Sequence, residues 1–157
     1  MSGRVYRVPM NQLALSTSKV DLWALTAGSA IPFLLEEIRL DPIATAVAEY
    51  LLSLNVFTGS FTAGSGGTLV SAAKALPNDA TNTTVCRIGN TTQTAVGTGG
   101  KTNHDAGNWN LVNGWAWQPI DADHRIVVPP SACFVLSLDT TPSAATVNGC
   151  AVFREMY

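Results

Sequence analysis

The residues best suited to chemistry are two histidines, each with carboxylates beside it. His104 precedes Asp105, and His124 follows Asp121 and Asp123. Imidazole and carboxylate groups together can bind a metal ion or exchange protons with a substrate. A hydrolase would also need an activated serine or cysteine, and the sequence contains neither a nucleophile elbow nor a catalytic cysteine motif. We therefore predict no enzymatic activity, no catalytic residue, no metal site and no cofactor. A small hydrolase that uses His104 or His124 is the weakest hypothesis.

The other acidic pairs and the glycine-rich stretch are less suited to chemistry. Glu36 and Glu37 are adjacent, so a strand sends their side chains to opposite faces. Asp121 and Asp123 lack the remaining ligand positions of an EF-hand loop. The stretch 59–67 has neither the spacing of a dinucleotide-binding loop nor the lysine of a P-loop. We interpret the two glutamates as one solvent-facing charge and one salt-bridge or interface partner, the two aspartates as part of a solvated turn, and the stretch 59–67 as a flexible loop.

The three cysteines, Cys86, Cys133 and Cys150, form an odd set without a CxxC pair. This spacing implies neither a zinc site nor a dense disulfide framework. Because cysteine is among the residue types most often buried, we predict three buried free thiols.

The composition limits the partners. The 157 residues suit one domain with a core of its own. Charged residues make up 13% of the chain, about half of the roughly 25% that is usual. The net charge is −2 and the nine lysines and arginines are scattered, so we expect no nucleic-acid partner. The longest apolar stretch without charge, residues 22–35, is too short for a bilayer span, so we expect no membrane partner.

Three of the four tryptophans lie in the uncharged stretch 108–119, which we interpret as one strand. Side chains two residues apart on a strand share a face, which places Trp109, Trp115 and Trp117 together with Leu111. Three indole rings on one face need a large apolar partner. We rank the sandwich core first as that partner, a subunit interface second and a sugar ring third.

The N-terminal arginines are further candidate interface residues. Arg4 and Arg7 lie in residues 3–10, which read as a short strand or an extended arm that ends at Pro9. They could bind an acidic neighbour, and the alternative is a pair of solvated charges near a terminus. The candidate interface residues are therefore Arg4, Arg7, Trp109, Trp115 and Trp117.

The rest of the chain reads as short strands separated by turns. In residues 31–40 we place Leu34, Ile38 and Leu40 on one face, before a turn at Asp41-Pro42. Residues 13–25 fit two strands or one irregular strand. Residues 43–56 fit a helix or a strand, and we choose a strand over 48–58. Strands are also predicted at 83–88, returning over 91–96 after a turn at Gly89-Asn90, and at 125–128, 132–138 and 146–154. Residues 97–107 read as a flexible loop.

This pattern predicts an all-β protein, an antiparallel β-sandwich of the jelly-roll type with little or no helix. Residues 1–30 are expected to form an N-terminal arm or first strands that pack on the domain or extend from it. Residues 31–157 are expected to form the jelly-roll domain.

Five segments, in this order, carry a resemblance to a known family: Leu34-Leu-Glu-Glu-Ile-Arg-Leu40, Gly64-Ser-Gly-Gly-Thr68, Trp115-Ala-Trp-Gln-Pro119, Phe134-Val-Leu-Ser-Leu138 and Val147-Asn-Gly-Cys-Ala-Val-Phe-Arg-Glu155. Over residues 30–157 the chain resembles the jelly-roll decoration, or cement, proteins of tailed-bacteriophage heads. The resemblance implies a homotrimeric virion protein on the capsid surface that binds the major capsid protein and catalyses nothing. The alternative is a carbohydrate- or receptor-binding jelly-roll module of a phage fibre or tail.

Overall fold

A computed structural model describes residues 3–15, 18–43, 48–141 and 145–157 of the chain. These residues form fourteen β-strands and one short 3₁₀ helix, η1 (Ala122–His124). The strands are β1 (Gly3–Leu15), β2 (Val20–Thr26), β3 (Phe33–Ile43), β4 (Glu49–Thr58), β5 (Phe61–Thr62), β6 (Thr68–Val70), β7 (Ala73–Lys74), β8 (Val85–Asn90), β9 (Ala95–Val96), β10 (Gly100–Asn110), β11 (Trp115–Trp117), β12 (Ile126–Val128), β13 (Cys133–Leu138) and β14 (Ala145–Met156).

The longer strands form two antiparallel sheets. Sheet A has the order β11-β3-β14-β1-β7, and β12 pairs with β3 on the same side as β11. Sheet B has the order β10-β4-β13-β2-β8-β6. From β1 to β4 each strand lies in the sheet opposite to the one before it, and the same holds from β12 to β14. Between these two runs, β10 pairs with β4 at the edge of sheet B. Successive strands thus alternate between the two antiparallel sheets, as in a jelly roll. The predicted fold class, an all-β antiparallel sandwich, is confirmed.

The core lies between the sheets and is built from side chains that alternate along each strand. Trp23 is fully buried at its centre, and its indole Nε1 donates a hydrogen bond to the Val8 carbonyl across the sandwich at 3.3 Å. Phe153 stacks on Tyr6, with ring centroids 5.4 Å apart, and contacts Phe33 on its other side at 5.2 Å. These large rings fill the space between the sheets, where their burial is the main source of stability.

A β-bulge in β3 changes which residues face this core. The pairing of β3 with β14 shifts at Glu36, so Phe33 and Leu35 are buried before it and Ile38 and Leu40 after it. Leu34 therefore points outwards, and the prediction that it shares a face with Ile38 is wrong. An extra residue in a strand reverses the alternation from that point on, and a sequence pattern of period two cannot register it.

Residues 59–99, which we call the insertion, connect β4 to β10. They add β6 and β8 to sheet B and β7 to sheet A, and the segments around β5 and β9 lie on the outer face of sheet B. Phe61 packs on a small second core there, formed by Ala24, Phe57, Cys133 and Val135. The 59–67 stretch, predicted as a loop, contains the short strand β5, which pairs with β9.

Two buried carboxylates hold the insertion in place. Asp21 accepts hydrogen bonds from the amide and hydroxyl of Thr94, both at 2.8 Å, and from the Ser137 hydroxyl at 3.1 Å. Oε1 of Glu155 accepts four hydrogen bonds, from the amides and hydroxyls of Thr83 and Thr84, at 2.7–2.9 Å. The insertion is thus tied to sheet B by one acid and to the end of β14 by the other.

Two strands extend past the prolines at which they were predicted to end. A strand can contain proline where its backbone has no hydrogen-bonding partner on one side. β1 continues through Pro9 to Leu15, and β7 pairs with it at Tyr6 and Arg7. β3 continues through Asp41-Pro42 to Ile43, beyond the last residue of β3 that β11 pairs with, Leu40.

Two predictions in the middle of the chain are also wrong. β8 runs through Gly89-Asn90, and the following segment pairs with β5 instead of returning along β8. Residues 100–107, predicted as part of a loop, belong to the edge strand β10, in which residues 100–108 are all exposed. An edge strand without a packed face needs no apolar alternation, so its polar sequence resembles a loop.

Other predictions are confirmed. The strand predicted over 48–58 is β4 (Glu49–Thr58), with Tyr50, Leu52, Leu54 and Val56 facing the core, whereas 44–47 lie outside the described residues. The segment 13–25 supplies the end of β1 and all but the last residue of a second strand, β2. Both strands lie inside the sheets, and the proposed division of the chain at residue 30 stays a prediction.

The cysteines are free thiols, as predicted, with Cys86 and Cys133 buried and Cys150 only partly buried. Burial raises the pKa of the Cys86 and Cys133 thiols to about 12. Among the described residues, no helix has the length and apolar character needed to cross a membrane.

Candidate functional site

An open groove of about 440 Å³ lies at the sandwich edge formed by β10 of sheet B and β11–β12 of sheet A. We call it the edge groove. It brings together both histidines of the chain, which are 20 positions apart in the sequence. The residues that line it are His104, Asp105, Trp117, Gln118, Pro119, Ile120, Asp123, His124, Arg125 and Ile126.

A β-bulge in β10 places two of these residues in the groove. The pairing with β4 shifts between Asn103 and Asp105, which makes His104 the extra residue. Neighbouring residues of a regular strand point to opposite faces, but a bulge allows both His104 and Asp105 to line one cavity. Desolvation lowers the pKa of His104, so its ring is neutral at pH 7.

The 3₁₀ helix η1 positions the opposite wall. Oδ1 of Asp121 caps this helix by accepting from the amides of Asp123 and His124 at 2.9 and 3.1 Å. The same oxygen lies 2.7 Å from Nδ1 of His124, and this hydrogen bond lowers the pKa of the Asp121 carboxyl. Because the carboxylate of Asp121 can only accept, Nδ1 of His124 donates this hydrogen bond, which fixes the orientation of the ring.

Trp117 supplies the aromatic wall. It pairs with Ile38, and Trp115 pairs with Leu40, so both indoles point towards the interior at the edge of sheet A. Both are partly buried and pack against the main core, but Trp117 lines the groove and Trp115 does not. At the rim, Ile120 is 89% exposed.

The prediction that Trp109 shares one strand with Trp115 and Trp117 is wrong. Trp109 is buried at the end of β10 in sheet B, whereas the other two belong to sheet A. A turn separates them: the Asn110 side chain accepts from the Val112 amide at 3.1 Å, and the Asn110 carbonyl accepts from the Asn113 amide at 3.0 Å. The sequence signal for this turn is Asn110 together with Asn113-Gly114.

The two candidate arginines lie elsewhere and do not meet the tryptophans. Arg4 is 3.7 Å from the Asp79 carboxylate and stacks over the Tyr157 ring at 4.5 Å. Arg7 is exposed on the outer face of sheet A, and no carboxylate in the described part of the chain lies within 4 Å of it. The five candidate residues are therefore distributed over four places.

The outer face of sheet A differs from that of sheet B because none of the residues that the structure describes packs over it as β5 and β9 do on sheet B. Its strands carry a patch of arginines and apolar side chains, which we call the docking face: Val5, Arg7, Pro9, Leu34, Arg39, Arg125, Val127, Cys150, Val152 and Arg154. Its carboxylates are Glu36, Glu37 and Asp41. The prediction that Glu36 and Glu37 point to opposite faces is wrong, because the bulge at Glu36 puts both on this face. Glu37 joins Arg39 at 2.9 Å. Glu36 joins Arg154 at 2.7 Å and Arg125 at 3.3 Å. The four arginines outnumber the carboxylates in a chain whose net charge is −2.

The chemistry of the edge groove is that of hydrogen bonding and aromatic contact. Among the described residues, no three histidine, cysteine or acidic side chains are close enough to hold a metal ion. The groove lining contains no serine, threonine or cysteine that a histidine could activate. Sequence reasoning identified both histidines and Trp117 separately, but their common location depends on the pairing of β10 and β11 in different sheets.

Comparison of the chain with family models, curated proteins and solved structures finds no match.

Proposed function

We propose that this protein is a structural virion protein that decorates and stabilises a bacteriophage capsid. In this role it binds major capsid subunits on the capsid surface as a homotrimer, without catalysis. One observation supports the proposal: the β5 and β9 segments of the insertion pack on the outer face of sheet B, whereas no described segment packs on the docking face of sheet A.

The composition of the docking face suits an acidic protein surface as its partner. Arginine is enriched at protein interfaces because its planar guanidinium pairs with carboxylates in two-point hydrogen bonds. Arg7 has no carboxylate within 4 Å in the described part of the chain, and it lies beside the apolar Val5, Pro9 and Val152. The unpaired guanidinium of Arg7 beside apolar side chains favours a specific contact with an acidic, partly apolar lattice, and Arg39, which pairs with Glu37 at 2.9 Å, lies on the same face.

Self-association is supported by a second set of exposed apolar side chains at the opposite sandwich edge, near β6 and β7. Leu69 and Leu76 are more than 60% exposed there, and Val85 is 49% exposed. Burying them between copies would leave the docking face free in each subunit. A trimer would then present three docking faces to a symmetric lattice.

The stabilising mechanism is mass action. A ligand that binds the assembled lattice but not free capsid subunits shifts the equilibrium towards the lattice. Three linked faces raise the overall affinity because the second and third contacts form at high effective concentration.

Charge reversal on the docking face tests the proposal. The double substitution Arg7→Glu with Arg39→Glu should abolish co-sedimentation with capsids that lack the protein. Lys101→Glu changes the charge of exposed β10, off this face, and should bind like the wild type. Equal binding of all three proteins would contradict the assignment of the face.

The rate at which Cys150 is modified reports whether the same face is covered. Cys150 is a partly buried thiol that lies opposite Pro9 of β1 on one side and Arg39 of β3 on the other. On bound protein its modification by a maleimide should slow at least tenfold. Cys86 and Cys133, which are buried in the free protein, should stay unreactive until it unfolds. Unchanged labelling of Cys150 on binding would count against this face.

The oligomeric state is tested by size-exclusion chromatography with light scattering, and the function by heating capsids with and without the protein. We expect a trimer and a higher temperature of capsid disruption. A monomer that leaves capsid stability unchanged would refute the proposed function.

A further inference from the structure

We propose that the edge groove is a binding site for a neutral saccharide, with one sugar ring against Trp117. The groove lies at the open edge between the sheets and shares only Arg125 with the docking face, so the proposal does not depend on capsid binding. Such a site would fit the carbohydrate-binding alternative drawn from the sequence.

The aromatic wall is the first reason. A sugar ring has an apolar face of C–H groups, which packs on an indole plane, and hydroxyls around its rim. Trp117 is anchored in β11 by its pairing with Ile38 and by packing against the core, so its ring is held before a ligand arrives. A rigid aromatic side chain loses little entropy on binding.

The polar groups around the indole are the second reason. Asp105 and Asp123 offer carboxylate oxygens that accept hydrogen bonds from hydroxyls, while Gln118 can both donate and accept. The bulge in β10 and the Asp121 cap hold His104 and His124 on opposite walls. Hydrogen-bonding groups that converge on a partly apolar cavity are typical of small-molecule sites.

The charges favour a neutral ligand. The lining contains two aspartates, and its one arginine, Arg125, is 3.3 Å from the Glu36 carboxylate. Desolvation lowers the pKa of His104, which favours the neutral ring, and the charge of Arg125 is offset by Glu36, so the two aspartates disfavour an anionic ligand. Phosphorylated, sulfated and sialylated ligands are therefore disfavoured.

The test uses the full-length protein on an array of neutral hexose and N-acetylhexosamine oligosaccharides, with sialylated and sulfated glycans alongside. We expect binding to some neutral glycans and none to the acidic ones. The best neutral glycan is then titrated by calorimetry and by saturation-transfer NMR, which also detects weak binding.

Variants locate the site. Trp117→Ala should lower the affinity at least tenfold. Trp115→Ala is the matched control, because this indole belongs to the same strand and the same core but lies outside the groove, and it should bind within threefold of the wild type. Asp105→Asn and Asp123→Asn, at exposed positions, should each weaken binding without loss of folding, which keeps the test valid if Trp117→Ala does not fold.

Three results would overturn the proposal. These are no binding to any neutral glycan, a preference for acidic glycans, and binding that survives Asp105→Asn and Asp123→Asn together. Loss of glycan binding with capsid binding intact would separate this site from the docking face.

Discussion

At the residue scale, the Glu155 carboxylate accepts five hydrogen bonds from other residues. Its carboxylate is fully buried, with four hydrogen bonds to Oε1 and one from the Tyr157 hydroxyl to Oε2 at 2.7 Å. Burial by itself raises the pKa of Glu155, but the hydrogen bonds from Tyr157, Thr84 and Thr83 outweigh it, and the net shift is downwards. The charged form is therefore the one that the fold stabilises.

We expect Glu155→Ala to lower the free energy of unfolding by about 3 kcal/mol, because it leaves the amides and hydroxyls of Thr83 and Thr84 without their acceptor. Urea denaturation measures the change. Thr83→Val removes one of the four donors to Oε1 and should cost about 1 kcal/mol. If both variants lost the same stability, the carboxylate would not be the centre of this network.

The free energy of unfolding should depend on pH through the titration of Glu155, whose pKa is lowered in the folded protein. A carboxyl whose folded pKa is below its unfolded value stabilises the protein above the unfolded pKa, and this contribution disappears as the pH falls through the folded pKa. Glu155→Gln removes the titration but keeps an acceptor oxygen, so the stability difference from the wild type should shrink as the pH is lowered from 7 towards 3.

Urea denaturation at several pH values in this range measures that difference. Asp21, whose pKa burial raises despite hydrogen bonds from Thr94 and Ser137, contributes with the opposite sign. Because it is present in both proteins, its effect cancels in the comparison. A stability difference that stays constant from pH 7 to pH 3 would show that Glu155 does not titrate in this way.

At the element scale, the insertion depends on a close approach to sheet B at Gly64. A Cβ atom at this position would lie 2.5 Å from the Thr92 carbonyl oxygen and 2.8 Å from Oδ2 of Asp21. Glycine is required here by space, because the neighbours are backbone and a buried carboxylate and not flexible side chains.

We expect Gly64→Ala to cost about 2 kcal/mol and to loosen the insertion selectively, because the added methyl group pushes the 59–67 segment off the sheet. Hydrogen exchange should speed up in the insertion before it does so in β13 or β4. Gly107→Ala is the matched control, since a Cβ atom there meets nothing within 4 Å, and it should change neither stability nor exchange.

At the scale of the whole molecule, the two ends of the chain are paired. β1 and β14 match over eleven positions, from Gly3 with Met156 to Leu15 with Ala145. Sheet A therefore forms only when strands far apart in the sequence pair, and such long-range pairing makes folding slow.

Deleting residues 1–10 should prevent folding, because it removes the buried side chains of Tyr6, Val8 and Met10 and exposes an edge of β14. Each large buried side chain contributes about 2 kcal/mol, a large part of a typical domain's stability. Circular dichroism and thermal melting measure the outcome. A folded deletion variant would show that β1 is a dispensable arm.

Local patterns predicted much of this fold because each strand must alternate to bury one face. The alternation in Tyr50, Leu52, Leu54 and Val56 predicted β4, and the alternating C-terminal strands predicted β13 and β14. Prediction failed where a strand does not alternate regularly between buried and exposed residues. This is the case at the bulge at Glu36 and along the exposed edge strand β10.

The sequence by itself determined the all-β class, the free thiols and the separate chemical candidates, since these depend on composition and on period-two patterns. Only the tertiary structure decided that Trp109 lies in a different sheet from Trp115 and Trp117 and that both histidines line the edge groove. It also decided that, among the described residues, only the outer face of sheet B is packed against by β5 and β9. The reason is that these outcomes depend on which sheet each strand joins. That choice follows from pairing between residues far apart in the chain, which local sequence patterns do not encode.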